Sequence, residues 1–173
     1  MMDTLPPLLA IAAYSGTGKT TLLKQLIPLL GQQQIRVGLI KHTHHDMDVD
    51  IPGKDSYELR KAGATQTLVA SDRRWALMTE MPEGQSLDLN YLASRFDSNK
   101  VDLILVEGFK HEQLSKIILY REAVGKPLSG MLDKHVIAVA SDIKIEGIEP
   151  WLDINQPAMI ALFITQWLES EKK

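Results

Sequence analysis

Eight consecutive residues, Ala13-Tyr14-Ser15-Gly16-Thr17-Gly18-Lys19-Thr20, carry the groups needed to hold a triphosphate. They follow the apolar stretch Leu8 to Ala12 and match the phosphate-binding pattern G-x-x-x-x-G-K-[ST] except at its first position, where alanine replaces glycine. A strand that turns through small residues into a helix aims backbone N–H groups and a helix N-terminus at one point, where an anionic phosphate fits. Ser15, Gly16, Thr17, Gly18, Lys19, Thr20 and Thr21 are therefore the expected nucleotide-contacting run. Lys19 supplies a point charge for the β and γ phosphates, and the Thr20 hydroxyl is placed to ligate Mg²⁺. Alanine at position 13 costs roughly 1 kcal/mol if φ is positive, so the motif requires a negative φ there.

A second acid-bearing element is Val101-Asp102-Leu103-Ile104-Leu105-Val106-Glu107-Gly108, an apolar strand that ends in a carboxylate. In α/β proteins ligands gather at the carboxyl ends of strands, so Glu107 is expected to ligate Mg²⁺ directly, hold it through a water, or orient an attacking water. Gly108 leaves room for close backbone approach, and Phe109-Lys110-His111 continues into a loop at the same edge.

Lys41-His42-Thr43-His44-His45-Asp46-Met47-Asp48-Val49-Asp50 concentrates three histidines and three aspartates in ten residues. One reading is a divalent metal site, because imidazole and carboxylate suit Zn²⁺ or a similar ion. In another, Asp46 or Asp48 reaches Mg²⁺ while His42, His44 and His45 contact phosphate or a pterin-like ligand; a third is a plain polar loop. Lys54 and Asp55, in a glycine-flanked turn, are candidates for an anionic ligand, with Asp55 or Ser56 capping the helix that follows. Arg60 and Lys61 are expected on its solvated face. Asp142 ends the late strand Val136 to Ala140 at a place where many guanine-binding proteins put an aspartate against the base, although the usual Asn/Thr-Lys-x-Asp frame is missing and a turn role is equally open.

These residues need a sheet to position them. Alternation of short apolar runs with helical patterns predicts an α/β fold, a mostly parallel central sheet flanked by helices with some antiparallel strands. Strands are expected at Leu8 to Ala13, Ile35 to Ile40, Val101 to Val106, Ile117 to Tyr120 and Val136 to Ala140, and a hairpin at 66 to 78. Helices are expected from about Gly18 to Leu30, Asp55 to Ala62, Leu89 to Arg95 and Ala158 to Leu168, with an exposed loop at 122 to 132. The 173 residues show no repeat or linker and read as a single nucleotide-binding domain, 1–173. Nineteen basic and 22 acidic residues leave a net charge of −3, which gives no attraction for nucleic acid or anionic lipid. There is no cysteine, so disulfides and thiolate metal sites are excluded. With no signal-peptide pattern and no membrane-length apolar run, a cytoplasmic location is expected.

The quoted stretches from Ser15 to Thr21, Gly38 to Asp46, Gly53 to Tyr57 with Arg60 and Ala62 to Ala64, and Leu105 to Lys110 together resemble the molybdopterin-guanine dinucleotide biosynthesis protein B (MobB) family. The K-H-T-H-H-D and V-E-G-F-K stretches beside the phosphate loop are more specific than that loop alone, and the alanine-led loop is similar to the family's own. The resemblance implies a P-loop NTPase-like fold, a GTP-binding adapter with at most slow GTPase activity, and a homodimer. It also implies a partner, the guanylyltransferase MobA, which joins GMP to molybdopterin, and molybdopterin as a possible bound ligand. Two alternatives stay open. One is a P-loop phosphotransferase whose lid comes from Arg121 and the 122 to 132 loop; the other is a metallochaperone GTPase using His42, His44 and His45.

Overall fold

A computed structural model describes residues 5–43, 47–82, 84–109 and 112–172. The chain divides into two compact units, Met1–His42 with Leu89–Lys173 and the intervening Thr43–Asp88. One border falls inside the His- and Asp-rich stretch 41–50 and the other just after the polar segment 82–88.

The larger unit is built on six strands: β1 (Leu8–Ala13), β2 (Val37–Lys41), β5 (Leu103–Glu107), β6 (Lys116–Tyr120), β7 (Val136–Ser141) and β8 (Trp151–Asp153). They lie in the order β2-β5-β1-β6-β7-β8, and every neighbouring pair is parallel. All six carboxyl ends therefore face one edge, which brings Ala13, Lys41, Glu107 and Ser141 to the same side of the sheet.

Side chains alternate across the sheet with a period of two. Leu9, Ile11 and Ala13 of β1 join Leu103 and Leu105 in packing against α1 (Lys19–Gln32) and α4 (Pro157–Glu171) through Leu22, Leu26, Leu30, Ile160, Ile164 and Leu168. On the other face Ala10, Ile104 and Val106 meet Leu89 and Ala93 of α3 (Leu89–Ala93). Ala12, Ile118 and Val139 form a third cluster beside Leu128 and Met131. Burial on both faces explains the near-continuous apolar runs of β1 and β5.

The smaller unit contains α2 (Asp55–Lys61) and the antiparallel hairpin β3 (Gln66–Ala70) and β4 (Trp75–Thr79). Its turn is tied by Ser71, whose backbone N–H bonds the Arg74 carbonyl at 2.8 Å. Gly63, at φ 116°, stops α2 as expected. The expected cap is not formed: Lys54 is the N-cap residue with no side-chain cap bond, and Asp55 lies in the first helical turn as a favourable anion.

Local hydrogen bonding explains where β2 and β5 begin. Ile35 precedes β2 because its N–H closes the end of α1 on the Leu30 carbonyl and Gln34 turns at φ 62°. β5 starts at Leu103, since the Asp102 N–H is already bonded to the Arg36 carbonyl. The 122 to 132 loop contains two short 3-10 helices, Glu122–Val124 and Leu128–Met131.

Candidate functional site

The phosphate loop connects β1 to α1 through Tyr14-Ser15-Gly16-Thr17-Gly18. Gly16 and Gly18 adopt φ 84° and 92°, while Ala13 is an ordinary strand residue paired with Leu119, so alanine costs nothing at that position. Thr17 is buried and folds the loop on itself, its hydroxyl donating to the Tyr14 carbonyl at 2.8 Å. From outside, the Arg121 Nε donates to the Thr17 carbonyl at 3.1 Å and its Nη2 donates to Asn155 Oδ1 at 3.2 Å. Arg121 thus braces the loop, instead of standing free as the arginine of a lid.

Lys19 opens α1, and its Nζ lies 3.4 Å from Glu107 Oε1 at the end of β5. Lys41, at the end of the adjacent β2, brings its Nζ to 4.0 Å from the same oxygen. The Glu107 side chain is only 12% exposed, so it is sheltered, and among the described residues its compensating charges are these two ammonium groups. Two cations and one carboxylate at a strand edge beside a helix N-terminus form a site that favours additional negative charge. Thr20 and Thr21 follow on the exposed first turn of α1.

His42 follows β2 in the same unit. Its N–H donates to the Glu107 carbonyl at 2.8 Å and its ring lies 5.1 Å from that of Phe109. His44, His45 and Asp46, like Lys110 and His111, lie outside the described residues, and among those described no cluster of three metal-ligating side chains forms.

In the smaller unit Asp48 presents its Oδ1 to Arg60 Nη2 at 2.6 Å. The expected solvated position of Arg60 is corrected. Its side chain is 7% exposed and binds Asp48, Asp50 at 2.8 Å and Glu80 at 3.0 Å. Those bonds hold the guanidinium pKa far above its ordinary value, and Arg60 in return depresses the Asp50 carboxyl. Periodicity missed this because the partners lie ten to twenty residues away in sequence. Lys54 borders an apolar cavity of about 380 Å³ with Ile51, Val69, Trp75 and Met78.

Asp142 follows β7, and its Oδ1 accepts from the Glu122 N–H at 3.1 Å, fixing the segment after Arg121. A cavity of about 300 Å³ opens beside the phosphate loop, lined by Gly18, Thr21, Gln25, Arg121, Asn155 and Pro157. Asp142 is not among its lining residues. Gln25 and Asn155 went unnoticed in the sequence because they belong to no motif and no pattern marks them. Lys116 was missed too. It is a buried ammonium 2.8 Å from Asp133, whose carboxyl it holds below the usual carboxylate range.

The sequence model for molybdopterin guanine dinucleotide synthesis protein B (MobB) matches residues 8–142. The molybdopterin-guanine dinucleotide biosynthesis adapter protein of Escherichia coli K12 is 62% identical over 169 residues, 97% of either chain. The protein of the same name from Haemophilus influenzae is 51% identical over 167 residues, 96% of this chain and 92% of its own. A crystal structure of molybdopterin-guanine biosynthesis protein B superposes with a TM-score of 0.76 at 27% identity, over 94% of this chain and 99% of that one. The phosphate loop, the acid at the end of β5 and a match that spans most of the chain agree: this chain belongs to the MobB family.

Proposed function

We propose that the chain is a GTP-binding adapter in molybdopterin guanine dinucleotide biosynthesis. It assists the guanylyltransferase MobA, which joins GMP to molybdopterin, and acts in the cytoplasm as a homodimer and a single functional domain, 1–173. The observation that carries the nucleotide part is the approach of Lys19 to Glu107 at 3.4 Å beside a loop with left-handed Gly16 and Gly18. The adapter role is supported by the names of relatives matched over nearly their whole length. No helix among the described residues is long and apolar enough to cross a membrane.

Lys19 and the loop amides would hold the β and γ phosphates. Thr20 and Glu107 would hold Mg²⁺, since a hydroxyl and a carboxylate are the hard oxygen donors that this ion prefers. Bound Mg²⁺ would neutralise phosphate charge. Of the remaining candidates, His42 stands beside Glu107, while Asp48 is engaged by Arg60 and is assigned to that cluster. Nothing in the bracing role of Arg121 favours a phosphotransferase lid.

The test measures GTP and ATP affinity with and without Mg²⁺, turnover of the chain alone, and dinucleotide formation by MobA with and without the chain. Expected are Mg²⁺-dependent GTP preference, turnover below ~0.1 s⁻¹ against the ~1–100 s⁻¹ of kinases, and stimulation of MobA. Lys19→Ala should abolish triphosphate binding and stimulation together. Rapid phosphate transfer to a small molecule, or stimulation that survives Lys19→Ala, would sink the proposal.

A further inference from the structure

Gly18 and Thr21 belong to the phosphate loop and the first turn of α1, and both line the cavity of about 300 Å³. Neither Lys19 nor Glu107 does, so the cavity adjoins the phosphate loop without including the ion pair that would face the terminal phosphate. Its size lies at the lower end of the ~300–1,000 Å³ range of small-ligand sites, suited to one heterocycle with its sugar.

We propose, building on the GTP reading above, that this cavity receives the nucleotide base and that Asn155 selects a 6-oxopurine. The Asn155 amide has one oxygen and one NH₂. Arg121 Nη2 can only donate, so at 3.2 Å it must face the amide oxygen, and this settles which way the amide points. The backbone N–H of Asn155 is held by Asp153 Oδ1 at 2.8 Å, which orients the residue after β8. What Asn155 offers a ligand is therefore its Nδ2, a donor, beside the donor-only Arg121.

A wall of donors distinguishes the two purines. Guanine presents two acceptors, N7 and O6, along one edge, whereas adenine pairs the N7 acceptor with an N6 donor. Asn155 Nδ2 and the remaining Arg121 N–H groups side by side are both matched by guanine and hypoxanthine; adenine can meet one of them through N7 but turns its amino group, donor to donor, on the other. Arg121 has a second task in the same place, since its Nε holds the Thr17 carbonyl and couples the base wall to the phosphate loop.

The test is calorimetry in Mg²⁺ buffer with GTP, ITP, ATP and inorganic tripolyphosphate. On the wild-type chain, GTP and ITP should bind comparably, with ATP and tripolyphosphate weaker by about tenfold or more. Asn155→Leu removes the donor at nearly the same shape and without adding charge, and should weaken GTP and ITP by about tenfold or more while leaving tripolyphosphate within about twofold. Asn155→Ala, with circular dichroism as a fold check, should show the same selective loss. Unchanged GTP affinity in both variants would overturn the assignment, and so would equal losses for GTP and tripolyphosphate. If wild-type GTP and tripolyphosphate bind equally tightly, the phosphate site stands and the base subsite falls. If neither binds, the GTP reading fails and this assignment falls with it.

Discussion

Gly108 holds the acid end of β5 in place by what it lacks. Its φ is 95°, and a Cβ there would meet the His42 carbonyl oxygen at 2.8 Å and the His42 Cβ at 3.0 Å. Any other residue faces two penalties, the left-handed backbone of roughly 1–2 kcal/mol and a collision with backbone that cannot swing away. The same His42 donates its N–H to the Glu107 carbonyl, so relief of the collision would drag Glu107 off Lys19. Gly108→Ala is expected to lower the melting temperature by several degrees, at about 2–4 °C per kcal/mol for a chain of this size, and to weaken triphosphate binding. Gly31→Ala is the matched control. It sits in α1 with open space around its Cβ, so it should be neutral or stabilising by up to ~1 kcal/mol. Equal melting temperatures for the two variants would show that the His42 backbone yields and that Gly108 does not position the acid.

At the scale of elements, Arg60 ties α2 to the segment at Asp48 and Asp50 and to Glu80 just beyond β4. A two-stranded hairpin is marginal by itself, so the smaller unit depends on such cross-links more than the six-stranded sheet does. Arg60→Met keeps the length and apolar stem but leaves the Asp50 carboxylate, 7% exposed, without its guanidinium. Hydrogen exchange should then accelerate at residues 48–50 and 79–80 while β1, β5 and β6 keep their protection. Unchanged exchange at 48–50 would mean that the cluster is not what orders that segment. The contrast also shows what a linear sequence can reveal. β1, β5 and α1 were legible because each buries a long regular face, and Lys19 and Glu107 were legible because motif position alone puts both at one sheet edge. Arg60 was misread because no local rule names carboxylates ten or more residues away. The three residues of β8 are too short for a period of two to register, and with β8 unseen Asn155 had no element to place it.

Across the whole molecule, four carboxyls share one direction of titration. Asp102 is depressed to about 2, chiefly by its hydrogen bond with Arg36. Asp133 is lowered by Lys116, Asp50 by Arg60, and Asp97 by the Asn99 backbone N–H and then by Lys100. Each folded pKa is below its unfolded value of about 3.9, so in acid the unfolded chain binds more protons than the folded one and stability rises with pH through that window. The stabilisation is fully present above about pH 5 and is lost as pH falls from about 4 toward 2. Thermal melts between about pH 2.5 and 7 should show a plateau at the upper end and a steep fall at the lower. The Arg36 and Asp102 pair joins the segment before β2 to the segment before β5, at the far end of both strands from the phosphate loop. Asp102→Asn removes the most depressed of these carboxyls without touching the site, so it should lower the plateau and flatten the acid limb while triphosphate affinity at neutral pH stays unchanged. If the acid limb keeps its wild-type steepness in that variant, the acid sensitivity comes from groups other than this pair.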